Sequence, residues 1–293
     1  MKLSVQASSP PLSLALTFFY PKKTIEEVER VANKIEVLGV SKLFRREGRE
    51  IVAMERTDLF IEEGRFVSII GPSGCGKSTL FNIIAGLMPP SSGKVMADGR
   101  NIVGKTGYVG YMLQKDMLLP WRTILDNIIL GMEIRGVPRE EAVQRALPLM
   151  ERYGLKGFEN HYPKELSGGM RQRAALLRTL LYDRDIILLD EPFGALDAQT
   201  RLMMQNWLLQ IWEDFRKTVL FVTHDIDEAI YLSDDIYVFT ARPGRIKAKV
   251  TVPMPRPRTH QDMTTPQFAE IKHLLLDLLS EEVRIASDQE RIS

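Results

Sequence analysis

Apolar side chains follow one another almost without interruption through Arg65-Phe66-Val67-Ser68-Ile69-Ile70, the pattern of a strand buried on both faces of a parallel sheet. A glycine-rich turn follows at once. Thr79–Ala85 reads as a helix closed by Gly86 and Pro89-Pro90, and Asp98-Gly99 marks a turn between shorter strands. From Trp121 to Leu181 the period becomes helical, with Ala142, Ala146, Leu149, Met150 and Tyr153 on one face of a segment starting near Arg139. Pro148 lies inside that segment and lacks the helix donor, which predicts a kink or a break. Strand texture returns at Asp185–Asp190, Thr218–Thr223 and Asp235–Thr240, with helix-like segments between. Such alternation predicts α/β architecture.

The two ends differ in texture. Short β-type runs begin at Lys34, whereas residues 1–34 read as an N-terminal extension in which Thr24-Ile25-Glu26-Glu27 is a capping box for one short helix through Ala32. After Arg242-Pro243-Gly244-Arg245, the segment Pro253–Pro257 reads as a linker. Thr265-Pro266 then opens a last helix, whose Phe268, Ile271, Leu275 and Leu278 recur at spacings of three and four.

Composition narrows the class. The chain has 293 residues, 44% hydrophobic and 26% charged, which is ordinary for a globular protein and excludes collagen-like or wholly disordered readings. Thirty-nine basic against 38 acidic residues leave a formal charge of +1, so no global attraction to nucleic acid is expected. The single cysteine, Cys75, forbids an intrachain disulfide or a cysteine-based zinc cluster and suits a reducing, cytoplasmic compartment. Apolar runs such as Leu12–Tyr20 and Leu274–Leu279 fall short of the roughly 18 residues that a membrane helix needs. Pro10-Pro11 breaks up what would otherwise resemble a signal peptide. Any membrane role must come through a partner.

Three clusters carry chemistry. Gly71-Pro72-Ser73-Gly74-Cys75-Gly76-Lys77-Ser78 fits the phosphate loop GxxxxGK[ST], set between a buried strand and a helix as that motif requires. Glycines let backbone N–H groups turn inward, and the helix start adds roughly half a positive charge aimed at the phosphates. Lys77 is expected to reach the β- and γ-phosphates, Ser78 to hold Mg²⁺, and Thr79 to complete the nucleotide-binding set. Ile186-Ile187-Leu188-Leu189-Asp190 ends an apolar strand in a carboxylate, which suits a second Mg²⁺ contact. Glu191 follows, placed to polarise an attacking water. Leu166-Ser167-Gly168-Gly169-Met170 precedes a helix-forming run; it is either a helix cap or a second anion site built from a hydroxyl, free amides and the helix dipole.

With these motifs in this order, the chain resembles the ATP-binding subunits of ABC transporters over about residues 35–245. The match includes Gln114, Gly194-Ala195-Leu196-Asp197 and Thr223-His224-Asp225. The resemblance implies that Gln114 senses Mg²⁺ and the transmembrane partner, that Asp197 communicates between two subunits, and that His224 contacts the γ-phosphate. It also implies that Phe44 stacks on adenine and that Ser167, Gly168 and Gly169 meet a second subunit's nucleotide. Met170 stands where many members have Gln, which removes one side-chain amide. Leu118-Leu119-Pro120-Trp121, Arg242–Arg245 and Pro255–Arg258 are similar to the subfamily importing nitrate, sulfonates, taurine or bicarbonate.

What the resemblance implies is an α/β fold: a P-loop NTPase core with a mainly parallel sheet, an antiparallel β subdomain and a helical subdomain at about residues 116–178. The ATPase domain is expected over 35–255, followed by a C-terminal linker and helix over 256–293. Its ligands are ATP and Mg²⁺. Its partners are an identical or related ATPase subunit paired head to tail, a transmembrane permease, and indirectly an external solute-binding protein. This places the chain peripherally on the cytoplasmic face of the inner membrane. Met117, Leu118, Leu119 and Trp121 form either a docking patch or ordinary core. A soluble ABC ATPase is the alternative, and a small-molecule kinase would lack Leu166–Met170.

Overall fold

The computed structural model describes residues 33–292 apart from Glu47 and Ala195; the helix expected through Ala32 lies outside them. In chain order the strands are β1 (Asn33–Arg46), β2 (Arg49–Glu62), β3 (Phe66–Ile70), β4 (Ser92–Ala97), β5 (Arg100–Asn101), β6 (Gly110–Met112), β7 (Ile186–Asp190), β8 (Thr218–Val222), β9 (Asp235–Phe239) and β10 (Ile246–Thr251). The helices are α1 (Lys77–Ile84), α2 (Ile124–Ile134), α3 (Arg139–Arg152), α4 (Gly168–Leu181), α5 (Ala198–Phe215), α6 (Ile226–Leu232) and α7 (Pro266–Ile292).

Six strands form the main sheet in the order β10-β9-β3-β8-β7-β6. Every pairing is parallel except that of β10, an antiparallel edge strand. All residues of β3, β7, β8 and β9 are buried, so these strands read as continuous apolar runs and not as alternating ones. The period of two reappears in what each side chain touches. Phe66, Ile187, Leu189, Phe221 and Val238 join a core shared with α2, α4, α5, α6 and α7. Val67, Ile69, Leu188, Leu220 and Phe239 join a second core with α1 and the smaller sheet.

That smaller sheet is antiparallel, in the order β2-β1-β4-β5. Its two long strands looked like short runs because register shifts interrupt their alternation, for example between Val37 and Val40. The helical layer is α2, α3 and α4. Of the kink or break expected at Pro148, the break does not occur: helix α3 runs on through it. Gln144 and Pro148 are both exposed, so the carbonyl that the ring leaves without a helix donor lies on the solvent side.

Helix α7 buries Phe268, Ile271 and Leu275 in the same core as the sheet. The proline-rich stretch before it is packed: Met254 and Arg258 are buried. The Arg258 guanidinium donates to the carbonyls of Ile230, Tyr231, Ser233 and Met254, and burial lowers it to about 10. Among the described residues, no helix is long and apolar enough to cross a membrane.

Candidate nucleotide site

The loop 71–76 leaves the C-terminal end of β3 and turns into α1. Gly74 and Gly76 have φ of 71° and 102°, a region that strains other residues. A Cβ on Gly71 would sit 2.9 Å from that of Phe239, so the loop lies close against the end of β9. Lys77 is buried, and its ammonium donates to the carbonyls of Gly71 and Pro72 at 2.8 Å each. Those bonds hold the cation over the loop.

Although Cys75 lies in the loop that would cradle phosphates, its side chain is fully buried in the second core. Burial pushes the thiol up, against the opposing pull of Lys77. Alkylation therefore needs the loop to open.

Four strand ends converge on one cavity of about 730 Å³, at the carboxyl edge where open α/β sheets bind ligands. Ser73, Gly74, Cys75, Gly76, Lys77, Ser78 and Thr79 line it together with Phe44, Gln114, Glu191 and Arg242. Phe44 is exposed at 36% and not a core aromatic. Asp190 ends β7 and is 5% exposed; burial pushes its carboxyl up, Ser78 lowers it and Glu191 raises it. Glu191 has φ of 46° and its N–H donates to Val222. Gln114 Nε2 donates to Glu191 Oε2 at 2.9 Å, and His224 Nδ1 lies 3.7 Å from the same oxygen. His224 is not a buried structural histidine, since its side chain is 61% exposed.

Other expected residues lie elsewhere. Ser167 caps α4 by accepting from the Met170 N–H, and Asp197 caps α5 by accepting from Thr200, which holds its carboxyl below the usual range. Ser167, Gly168, Gly169 and Asp197 do not line the phosphate-loop cavity. The patch after Gln114 is divided: Leu118 is buried, whereas Met117 and Trp121 are 55% and 72% exposed.

Three contacts went unread in the sequence. The Tyr111 hydroxyl reaches Asp190 at 3.4 Å. Arg171 joins Asp116 to the Leu166 carbonyl, tying the Gln114 loop to the start of α4. Arg242 lies against Gly74. Only the odd polar ring in an apolar strand hinted at Tyr111; Arg171 left no local signal, and Arg242 stood in the Arg242–Arg245 motif with no sign of its partner.

The site can be compared with known proteins. The ABC transporter family profile matches residues 54–194. An uncharacterized ABC transporter ATP-binding protein of Methanocaldococcus jannaschii is 46% identical over 88% of this chain and 96% of its own length. This chain belongs to the ABC transporter ATP-binding family. As an ABC ATPase it is similar to the aliphatic sulfonates import ATP-binding protein SsuB of Bacillus cereus, 43% identical over 83% of this chain and 94% of that protein. It is likewise similar to the taurine import ATP-binding protein TauB of Rhizobium johnstonii, 43% identical over 83% and 95%. A dimeric ATP-binding cassette solved in a post-hydrolysis state with ADP and Pi superposes with a TM-score of 0.66 at 33% identity, over 75% of this chain and all of that one. The fold is the P-loop ABC ATPase fold, and the chain is an ABC-type ATPase.

Proposed function

We propose that this ATPase powers import of a small anionic solute such as a sulfonate, taurine, nitrate or bicarbonate through a separate membrane permease. The observation that carries the reading is the convergence of Gln114 and His224 on one Glu191 carboxylate oxygen, with Gln114 and Glu191 lining the phosphate-loop cavity. The names of the sulfonate and taurine relatives support the solute class.

The donor set fits Mg-ATP. The loop is a cradle in which a Gly71 Cβ would clash, and the buried Asp190 carboxyl lies beside the Ser78 hydroxyl. Ser78, Asp190 and Gln114 would hold Mg²⁺, which supplies neutralisation of phosphate charge. Residues 71–77 bind the phosphates through amides and the Lys77 ammonium, Thr79 joins them at the helix start, and Phe44 stacks on the base. Glu191 accepts a hydrogen bond from the attacking water and takes its proton as the β–γ bond breaks. Gln114 keeps that carboxylate aimed, and His224 donates toward the γ-phosphate.

Ser167, Gly168, Gly169 and Asp197 then act on the nucleotide of a second subunit in a head-to-tail dimer. Their separation from the cavity supports this arrangement, which gives a closed dimer that ATP favours and hydrolysis releases. Trp121 and Met117 present an apolar surface to the permease, next to the glutamine that touches Glu191. The subunit sits peripherally on the cytoplasmic face, with an external binding protein delivering solute. ATPase and uptake assays after co-expression with a transmembrane permease test this. ATP turnover that is indifferent to permease and solute would favour the soluble ATPase.

A further inference from the structure

The turn between β9 and β10 packs against the phosphate loop, with Arg242 also at the rim of its cavity. Arg242 Nε and one terminal nitrogen donate to the Gly74 carbonyl at 3.2 and 3.1 Å. Two residues on, a Cβ on Gly244 would lie 1.7 Å from the Cys75 carbonyl oxygen, so the backbones touch and only glycine fits. Gly244 is also joined to β2, donating to Ala53 and accepting from Glu55. In a trans peptide the carbonyl and the next N–H point in opposite directions. Holding the Gly74 and Cys75 carbonyls outward therefore aims the Cys75 and Gly76 N–H groups into the loop, where phosphate oxygens are received.

The turn is in turn held by α7. Glu282 is 6% exposed; one of its oxygens accepts from the Ala241 N–H at 2.9 Å and the other from Lys247 at 2.7 Å. Gln289 donates to the Arg242 carbonyl at 2.7 Å. A continuous set of bonds thus runs from the C-terminal helix to the phosphate loop.

We propose that Arg242, Gly244 and Glu282 are positioning residues for nucleotide binding, through which α7 sets the direction of the loop amides and hence affinity for the diphosphate. This rests on the ATPase reading, which the unmodified chain tests by itself through its titration with Mg-ADP. Because Cys75 is the chain's only thiol and is buried under this loop, its rate of reaction with a chromogenic disulfide reagent reports loop opening without any need for turnover.

The test uses the full chain with Arg242→Ala, Glu282→Ala and Glu282→Gln. The loss of one or two hydrogen bonds is expected to raise the Mg-ADP Kd about threefold to tenfold in the two alanine variants. Cys75 labelling should accelerate by a similar factor while the melting temperature holds. Glu282→Gln keeps an acceptor for Ala241 and stays near the unmodified values. If Glu282→Ala unfolds, the exposed Arg242 decides alone. Unchanged Mg-ADP affinity in Arg242→Ala overturns the proposal. So does lost affinity with unchanged labelling, which would mean that Arg242 touches the nucleotide directly. Failure of the unmodified chain to bind Mg-ADP sinks the ATPase reading instead, and the labelling rates still judge the turn.

Discussion

Gln114 and Glu191 are 77 residues apart in sequence and joined by a 2.9 Å hydrogen bond. Each stands just past a parallel strand, β6 and β7, which are neighbours in the sheet. The bond links the loop that leads into the helical layer to the carboxylate placed over the phosphate loop.

Glu191→Gln preserves shape but removes a proton acceptor, so ATP hydrolysis should fall by roughly 10²–10⁴ with ATP binding retained. Gel filtration in ATP should then show an accumulated dimer. Near-normal steady-state turnover would remove Glu191 from the catalytic role.

Lys77→Ala withdraws the ammonium held by Gly71 and Pro72. Charge-assisted bonds of this kind contribute about 1.5–3 kcal/mol, equivalent to a loss of roughly 10- to 100-fold in ATP affinity. Equilibrium titration reads this directly, and an unaltered Kd would defeat the phosphate-loop assignment.

The patch after Gln114 must be probed one residue at a time, because burial divides it. Leu118→Ala should destabilise the subunit by about 2–5 kcal/mol as a core truncation. Trp121→Ala should leave its melting temperature and basal ATPase unchanged while weakening permease attachment by 1 kcal/mol or more, as exposed aromatic anchors do at interfaces. Full solute uptake in the Trp121 variant would move the coupling surface elsewhere.

A buried carboxyl gives a pH dependence. Glu228, 4% exposed, is bonded to Thr223 and Gln205; burial pushes it up, Thr223 and Gln205 lower it, Asp225 raises it, and Arg201 lowers it. Its folded value thus lies above the unfolded one, near 4.3 for glutamate. The stability it contributes is complete below about pH 4.3 and is lost as pH rises through the raised value. Glu228→Gln escapes that loss, so its melting temperature should gain on the unmodified chain as pH rises from about 4.3 through the raised value. A difference that stays flat across that range would contradict the buried-charge account.

The parts that were legible in sequence are those fixed by local chemistry. The apolar run ending at Ile70, the loop to Ser78 and the strand ending at Asp190 each carry their signal within a few residues, and the structure has them as β3, the turn into α1, and β7. The orientation of Cys75 was not legible, because it depends on Phe239 and Gly244 packing from the far end of the chain. Nor was the continuity of α3, where solvent around Gln144 and Pro148 offsets what the proline ring removes. Arg242 was noticed only as part of a motif, since its partner, the Gly74 carbonyl, is 168 residues away.

The ends of the main sheet bear on how the protein behaves when concentrated. At one margin β6 is only three residues long. At the other, β10 carries Lys247 and Lys249, paired with Glu282 and Asp235. Short strands and charged lysines are devices by which natural sheets refuse strand addition from another copy. Both margins of this sheet therefore resist fibre growth by strand addition.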